Sequence, residues 1–160
     1  MGKKLNIGCG EDYREGWINL DIRDNIKTDI KHDLEKYPYP FKSNTFDEVE
    51  IRMVIEHIKE PIKFLKEICR ICKNKAKIHI STPHANSYAQ YSDLQHRNFF
   101  TENTFDNWHL IEYELNQLKL LNTWFSWDYK YKKFIPFKKL LKIYFNGIYD
   151  YIHFEFEVRK

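Results

Sequence analysis

Lys4-Leu5-Asn6-Ile7 is a short apolar run that feeds directly into Gly8-Cys9-Gly10, and a second run, Trp17-Ile18-Asn19-Leu20, ends on Asp21. Glycines after a strand let the backbone approach a ligand closely, because they lack the Cβ that would block it. A carboxylate at the carboxyl end of the next strand can accept hydrogen bonds from both hydroxyls of a ribose. The acid follows Gly10 by 11 residues, whereas a dinucleotide-binding unit places it about 20 residues on, after a full helix. Only Glu11 to Gly16 separates the two runs, too little for a real helix at about 1.5 Å per residue. The pattern suits a nucleoside better than a dinucleotide.

Further along, Thr28 to Asp33 reads as a third short strand ending on an acid. Pro38, Pro40 and Ser43-Asn44 mark a turn-rich connection. Apolar residues alternate at Val49, Ile51 and Met53, so the stretch from Phe46 to Met53 is predicted as a strand. Pro61 suits a first helical position, and Pro61, Phe64, Leu65, Ile68, Ile71 and Cys72 form one apolar stripe, with Asn74 as a left-handed stop. Lys77 to Thr82 is a further strand, closed by Pro83. Thr101, with Glu102 in the first turn, is expected to cap a helix through Trp108 and Leu110. His153 to Arg159 alternates Phe154, Phe156 and Val158 with charges, the signature of a strand with one wet face. Its expected partner is Glu114 to Leu121. Strands alternating with helices, then an antiparallel pair, argue an α/β sheet with a reversed last strand.

Bulk properties exclude several classes. The 160 residues fit one domain, and with 42% hydrophobic and 17% aromatic residues the chain can build a core despite a mean hydropathy of −0.67. No apolar run approaches the roughly 18 residues of a membrane span. A strand directly after Met1-Gly2-Lys3 leaves no room for a signal peptide, and Asn6 stands where a myristoylation signal needs Ser or Thr. Three cysteines, an odd number, point to a reducing compartment and a cytoplasmic protein. A net charge of +3 is too small to imply nucleic-acid binding.

Taken in order, Asn6-Ile7-Gly8-Cys9-Gly10, Asp21, Asp33-Leu34 and Met53-Val54-Ile55-Glu56-His57-Ile58 resemble the class I S-adenosylmethionine-dependent methyltransferases, in particular the small type-11-like group. The resemblance spans roughly residues 3 to 121. It implies a Rossmann-like seven-stranded sheet with the last strand antiparallel, and S-adenosyl-L-methionine as cofactor. Asn6 would face the cofactor's ammonium group, and Gly8, Cys9 and Gly10 would pass beneath its methionine part. Asp21 would hold the ribose, with Ile22 against the adenine. Asp33 would reach the adenine amino group beside Leu34, and Met53 would lie near the sulfonium. Two positions depart from the family. Asn6 stands where Asp or Glu is frequent, and Asp12 where a third glycine is frequent, so the first helix is expected to be shortened or gone and the site more open.

Other motifs have plainer readings. Cys69 and Cys72 lie on the helical stripe with no second pair, and a metal site needs about four ligands, so they are expected in the core and no metal is expected. Cys9 reads as a small filler. Of seven histidines, His32, His79, His109 and His153 have no company suggesting chemistry. His57 either caps the next helix or faces the substrate, and His84 is placed near the mouth of the site. Asp93, His96 and Arg97 share a polar loop. There Asp93 could hold the tautomer of a His96 base, or the loop is simply hydrogen-bonded.

The chain is thus expected to be one domain over 1–160, with an insert at about 122–152. In that insert Phe137, Leu140, Leu141, Tyr144, Phe145 and Ile148 fall on one helical face, and Lys138, Lys139 and Lys142 on the other. A lid over the acceptor is the preferred reading, then a homodimer contact through 136–149, then a membrane surface. The expected activity is methyl transfer to a small-molecule or sugar-like acceptor, with His96 and His57 as candidate bases. RNA methylation, which the lysines between 130 and 142 keep open, and a non-catalytic nucleoside-binding subunit are the alternatives.

Overall fold

A computed structural model describes residues 2–160 except Tyr129, Lys139, Lys142, Ile143 and Tyr144. The apolar runs become strands β1 (Lys4–Ile7), β2 (Ile18–Asp21), β3 (Ile30–Lys31), β4 (Phe46–Arg52), β5 (Cys72–Pro83), β6 (Leu118–Ser126) and β7 (Tyr151–Val158). Helix α1 spans Pro61–Ile71, and two short helices follow, α2 (Tyr88–Tyr91) and α3 (Asn107–Glu112). The strands form a single sheet in the order β3-β2-β1-β4-β5-β7-β6. β7 runs antiparallel to both of its neighbours, β5 and β6. The expected seven-stranded sheet with a reversed last strand is therefore present, and no helix joins β1 to β2.

Register sorts the side chains to two faces. Leu5 aligns with Ile18 and Val49, Val49 with Ile78, and Ile78 with Phe156. This row, with Ile7, Leu20, Ile51, Ile80 and Phe154, packs with Phe64, Leu65 and Ile68 of α1, all of it buried except Ile18, which is half-buried at the edge. On the opposite face the aligned row is Asn19, Asn6, Glu50, His79 and Glu155. Next to it run Lys4, Glu48, Lys77 and Glu157. Parallel sheets usually need apolar cover on both sides. Here the second face is polar and neutralises itself, through Lys4–Glu48 at 2.6 Å and Lys77–Glu157 at 3.8 Å. The connection from β1 to β2 folds over its edge, where Arg14 reaches Glu50 at 3.3 Å and Asn6 Nδ2 donates to the Asp12 carbonyl at 2.7 Å.

Several boundaries differ from the sequence expectation, each for a local reason. The third strand shrinks from 28–33 to Ile30–Lys31 because its acids serve elsewhere: Asp29 accepts from the Asn19 amide at 2.7 Å and Asp33 from the Glu35 amide at 3.0 Å. Helix α1 stops at Ile71, not Asn74, since Cys72 turns extended and aligns with Phe46; the left-handed residue is Lys75. Lys160 donates to the carbonyls of Arg70 and Cys72, so the helix end is satisfied from the chain terminus. Thr101 closes a turn with Thr104, and the helix starts six residues later, capped by Asp106, whose Oδ1 accepts from the His109 amide. β6 begins at Leu118 because Glu114, at φ +55°, ends α3 and reverses the chain. The stretch between β6 and β7 therefore runs 127–150, shorter than 122–152. Of its expected apolar face, Tyr144 lies outside the described residues, as do Lys139 and Lys142 of the opposite face.

The two faces should respond differently to truncation. Phe154→Ala, at a fully buried position, is expected to cost about 3–5 kcal/mol in urea unfolding. Lys77→Ala, on the open face, should change stability by no more than about 0.5 kcal/mol. Comparable losses at both positions would show that something covers the polar face.

Candidate functional site

The strands β1, β2 and β4 end side by side, and their carboxyl ends open onto a groove of about 470 Å³. Gly8, Asp21, Ile22, Asp33, Leu34 and Met53 all wall it, joined by His57 and Asp93. Six of the nine residues expected to hold a cofactor thus meet in one cavity. The other three support it from behind. Asn6 is buried and donates to the Asp12 carbonyl and to Asn19 Oδ1, which ties down the loop instead of reaching a ligand. Cys9 is buried with its Sγ toward the Lys27 carbonyl. Gly10 donates its amide to Asp21 Oδ2 at 2.9 Å.

Backbone geometry explains the glycines. Gly8 sits at φ +62° and Gly10 at φ +55°. A Cβ on Gly8 would run into Cγ2 of Val54, and one on Gly10 would meet the Arg23 guanidinium at 2.8 Å. Met53, directly after β4, also holds a positive φ of +53° while its amide donates to the Ser81 carbonyl at 2.9 Å. Such strain in a side-chain-bearing residue persists only where the surroundings enforce it, and it gathers at binding sites. It leaves the Met53 side chain 40% exposed, and Ile22 is 52% exposed, so the groove has two apolar walls.

Asp21 is the charged centre of the groove. Its Oδ1 accepts from the Arg23 amide at 3.0 Å and from Arg23 Nε at 3.3 Å. Burial pushes its pKa up, but the amides of Arg23 and Gly10 and the Arg23 guanidinium outweigh that and hold it below the usual aspartate value. A carboxylate offers about four acceptor positions. Three are used here, so two ribose hydroxyls require the Arg23 side chain, 49% exposed, to give up its bond.

A second cluster lies at the rim. Glu56 is fully buried, and its Oε2 accepts from Thr82 Oγ1 at 3.0 Å. The amides of Arg97 and Asn98 both donate to the Glu56 carbonyl, at 2.8 and 3.1 Å. Asn98 Nδ2 donates to the carbonyls of Ile55 and Ile58. These bonds pin the loop carrying His96 onto the turn after β4, and the rings of His57 and His96 meet edge to face at 4.8 Å. One ligand-capable atom from each of Glu56, His57 and His96 lies within 4.8 Å of the other two. Burial, and then His96, lower the His57 pKa.

Three expectations need correction. Asp93 does not hold the His96 ring. Its Oδ1 accepts from the Gln95 amide, while His96 Nδ1 bonds the Gln90 carbonyl at 2.9 Å. His84 is buried against Phe125 and Tyr149, accepts from the Asn86 amide and does not line the groove. His79, His109 and His153 are not isolated: His79 pairs with Glu50, His109 with Asp106, and His153 bonds Ser126 Oγ at 2.6 Å. Cys69 and Cys72 are buried, which pushes both thiols up to about 12 and leaves them inert.

A second cavity of about 340 Å³, lined by Arg52, Ser81, Ser126, Tyr151 and His153 among others, shares Met53 with the groove. No motif marks it, because its residues come from four strands and the segment after β6. Alternation on the wet faces of β4 and β7 was the available signal.

Residues 9–80 match the methyltransferase-domain family model. The chain has the fold of the class I S-adenosylmethionine-dependent methyltransferases. Solved structures share the fold. A SAM-dependent methyltransferase from Archaeoglobus fulgidus is 17% identical over 98% of this chain and 86% of that one, with a TM-score of 0.69. A chain of the Haloferax volcanii complex containing the Trm112 methyltransferase activator is 13% identical over 99% and 83%, at 0.67. An S-adenosylmethionine-dependent methyltransferase from Mesorhizobium loti is 9% identical over 98% and 90%, at 0.63. No curated protein sequence matches the chain. The groove suits S-adenosylmethionine, the cofactor of that family, with a strand-end carboxylate, a glycine turn and two apolar walls.

Gly8→Ala should destabilise the protein by at least about 1–2 kcal/mol from the positive φ alone, with the Val54 clash added. Wild-type stability in urea would mean that the turn relaxes freely. Asp21 makes a pH-dependent contribution. Its folded pKa lies below the unfolded one, so its charged form stabilises the fold above the ordinary value of about 4. That contribution is lost as pH falls through the lower folded pKa. Asp21→Asn should therefore cost stability at pH 7 and almost nothing near pH 2, and an equal cost at both would refute the charge argument.

Proposed function

We propose that this chain is a methyltransferase and transfers the methyl group of S-adenosylmethionine to a small polar acceptor, a metabolite or sugar-like molecule. The observation that carries the reading is the meeting of two cavities at Met53. Both fall within the roughly 300–1,000 Å³ of small-molecule sites. The donor lies along Gly8, Asp21 and Asp33 with its sulfonium toward Met53. The acceptor enters from the side of Arg52, Ser126 and His153. Arg52 offers a charge for an anionic group, and burial keeps His153 neutral by lowering its pKa.

Methyl transfer is an in-line displacement on a sulfonium carbon, so the main task is to align donor and acceptor in a site that excludes water. An oxygen or nitrogen acceptor also has to lose a proton, and the cluster of Glu56, His57 and His96 is the group that activates it. The segment 127–150 would serve as a lid. In support, Trp127 and Asp128 wall the second cavity. The Asp128 amide and Lys132 Nζ both bond Asp150, so both ends of the segment are anchored beside the cavity. The three free cysteines, all buried, support a cytoplasmic location, and no helix among the described residues is long and apolar enough to cross a membrane.

Calorimetry with S-adenosylmethionine tests the donor site. Asp21→Ala should weaken binding by about 1.5–3 kcal/mol, roughly 10- to 100-fold, with circular dichroism confirming the fold. Unchanged affinity would remove Asp21 from the site. His96→Ala should leave donor affinity within about threefold yet lower turnover about 10²–10⁴-fold on any acceptor found by screening small polar metabolites. Wild-type turnover in that variant would exclude the cluster from the reaction.

A further inference from the structure

The protein itself leaves the rim cluster only partly satisfied. Glu56 is 0% exposed, and its Oε1 has no hydrogen-bond partner among the described residues. His57 Nδ1 is likewise buried and without a partner. A buried carboxylate is costly unless it is paired or bound to a metal. Among the described residues its second oxygen bonds a neutral hydroxyl, that of Thr82.

We propose that Glu56, His57 and His96 together bind one divalent transition-metal ion of the zinc class. The donor set is two imidazoles and a carboxylate, which suits Zn²⁺ and its first-row neighbours and not Mg²⁺ or Ca²⁺, which favour oxygen ligands throughout. His96 is held as a metal-binding imidazole is held: the Gln90 carbonyl takes Nδ1 at 2.9 Å and leaves Nε2 for the ion. The three ligands are built into one unit, because the Arg97 and Asn98 amides clamp the Glu56 carbonyl. The ligand atoms lie within 4.8 Å of one another. Atoms sharing an ion at about 2.1 Å each stand roughly 3–3.5 Å apart, so binding draws the groups together.

Three protein ligands leave a coordination position open. His57 also walls the donor groove, so an acceptor oxygen that reaches from the second cavity past Met53 into that groove meets the open position. An ion there would bind the oxygen as a Lewis acid, lower its pKa and orient it. This last role rests on the methyl-transfer reading, whereas the site itself does not. His57 and His96 then act on the acceptor through the ion, not as free bases.

The test uses the full chain after chelator treatment. Co²⁺ is titrated in while its visible absorption is followed, and Zn²⁺ is titrated by calorimetry. One equivalent should bind saturably. His57→Ala and His96→Ala should each weaken binding at least about 10-fold, and His109→Ala, on α3, should leave it unchanged. Glu56→Gln should act like the first two, and if it fails to fold the histidine variants still decide. No saturable binding, or binding that survives both histidine variants, overturns the site and leaves the cluster to water or a proton. S-adenosylhomocysteine is titrated in parallel. Nucleoside binding without metal uptake overturns the ion site alone. Metal uptake without nucleoside binding upholds it and removes the methyl-transfer reading.

Discussion

Leu5, Leu20, Val49, Ile78 and Phe156 all face one side of the sheet, and burying that side against Phe64, Leu65 and Ile68 of α1 fixes the register of the strands. A slip of one residue would turn these side chains to water and bring Glu50, His79 and Glu155 inside. Register in turn fixes where β1, β2 and β4 end, so the groove is a consequence of how the core is buried. With the second face polar, the chain needs no helix between β1 and β2. The connection has only to bring Gly8 and Gly10 past the strand ends and return Arg14 to Glu50.

The groove works by satisfying a buried charge before any ligand arrives. Gly10 and Arg23 hold Asp21 ionised, so the carboxylate needs no proton and keeps acceptor capacity for a ribose. On the proposed reading of the groove, Arg23 is a placeholder that a nucleoside displaces. The rim cluster is the opposite case. Glu56 is buried more deeply, burial raises its pKa, and among the described residues no cationic side chain bonds it as Arg23 bonds Asp21. One site is complete in the protein and the other is not.

Most of the groove was legible because its lining residues sit at strand ends, where short-range pattern and chain order coincide. Gly8, Asp21, Asp33 and Met53 each follow a readable apolar run. The rim cluster was legible only in part. Glu56 and His57 are neighbours in sequence, but His96 reaches them through Arg97 and Asn98 binding the Glu56 carbonyl, a long-range contact that no local signal encodes. The same limit explains Asp93, whose spacing to His96 suggested a pair although the Gln90 carbonyl wins the ring. Helix ends failed where two caps competed, as at Thr101 and Asp106, and where strand pairing ended a helix, as at Cys72. The second cavity joins residues of β4, β5, β6 and β7, and only the assembled sheet brings them together.

The most direct measurement is a crystal structure of the chain with S-adenosylhomocysteine at saturating concentration. The nucleoside should lie in the groove at the ends of β1, β2 and β4, with both ribose hydroxyls on Asp21 and the adenine between Ile22 and Leu34. The Arg23 side chain should have left Asp21 Oδ1. A nucleoside bound elsewhere, or a groove that stays empty with Arg23 still on Asp21, would contradict the assignment of the donor site.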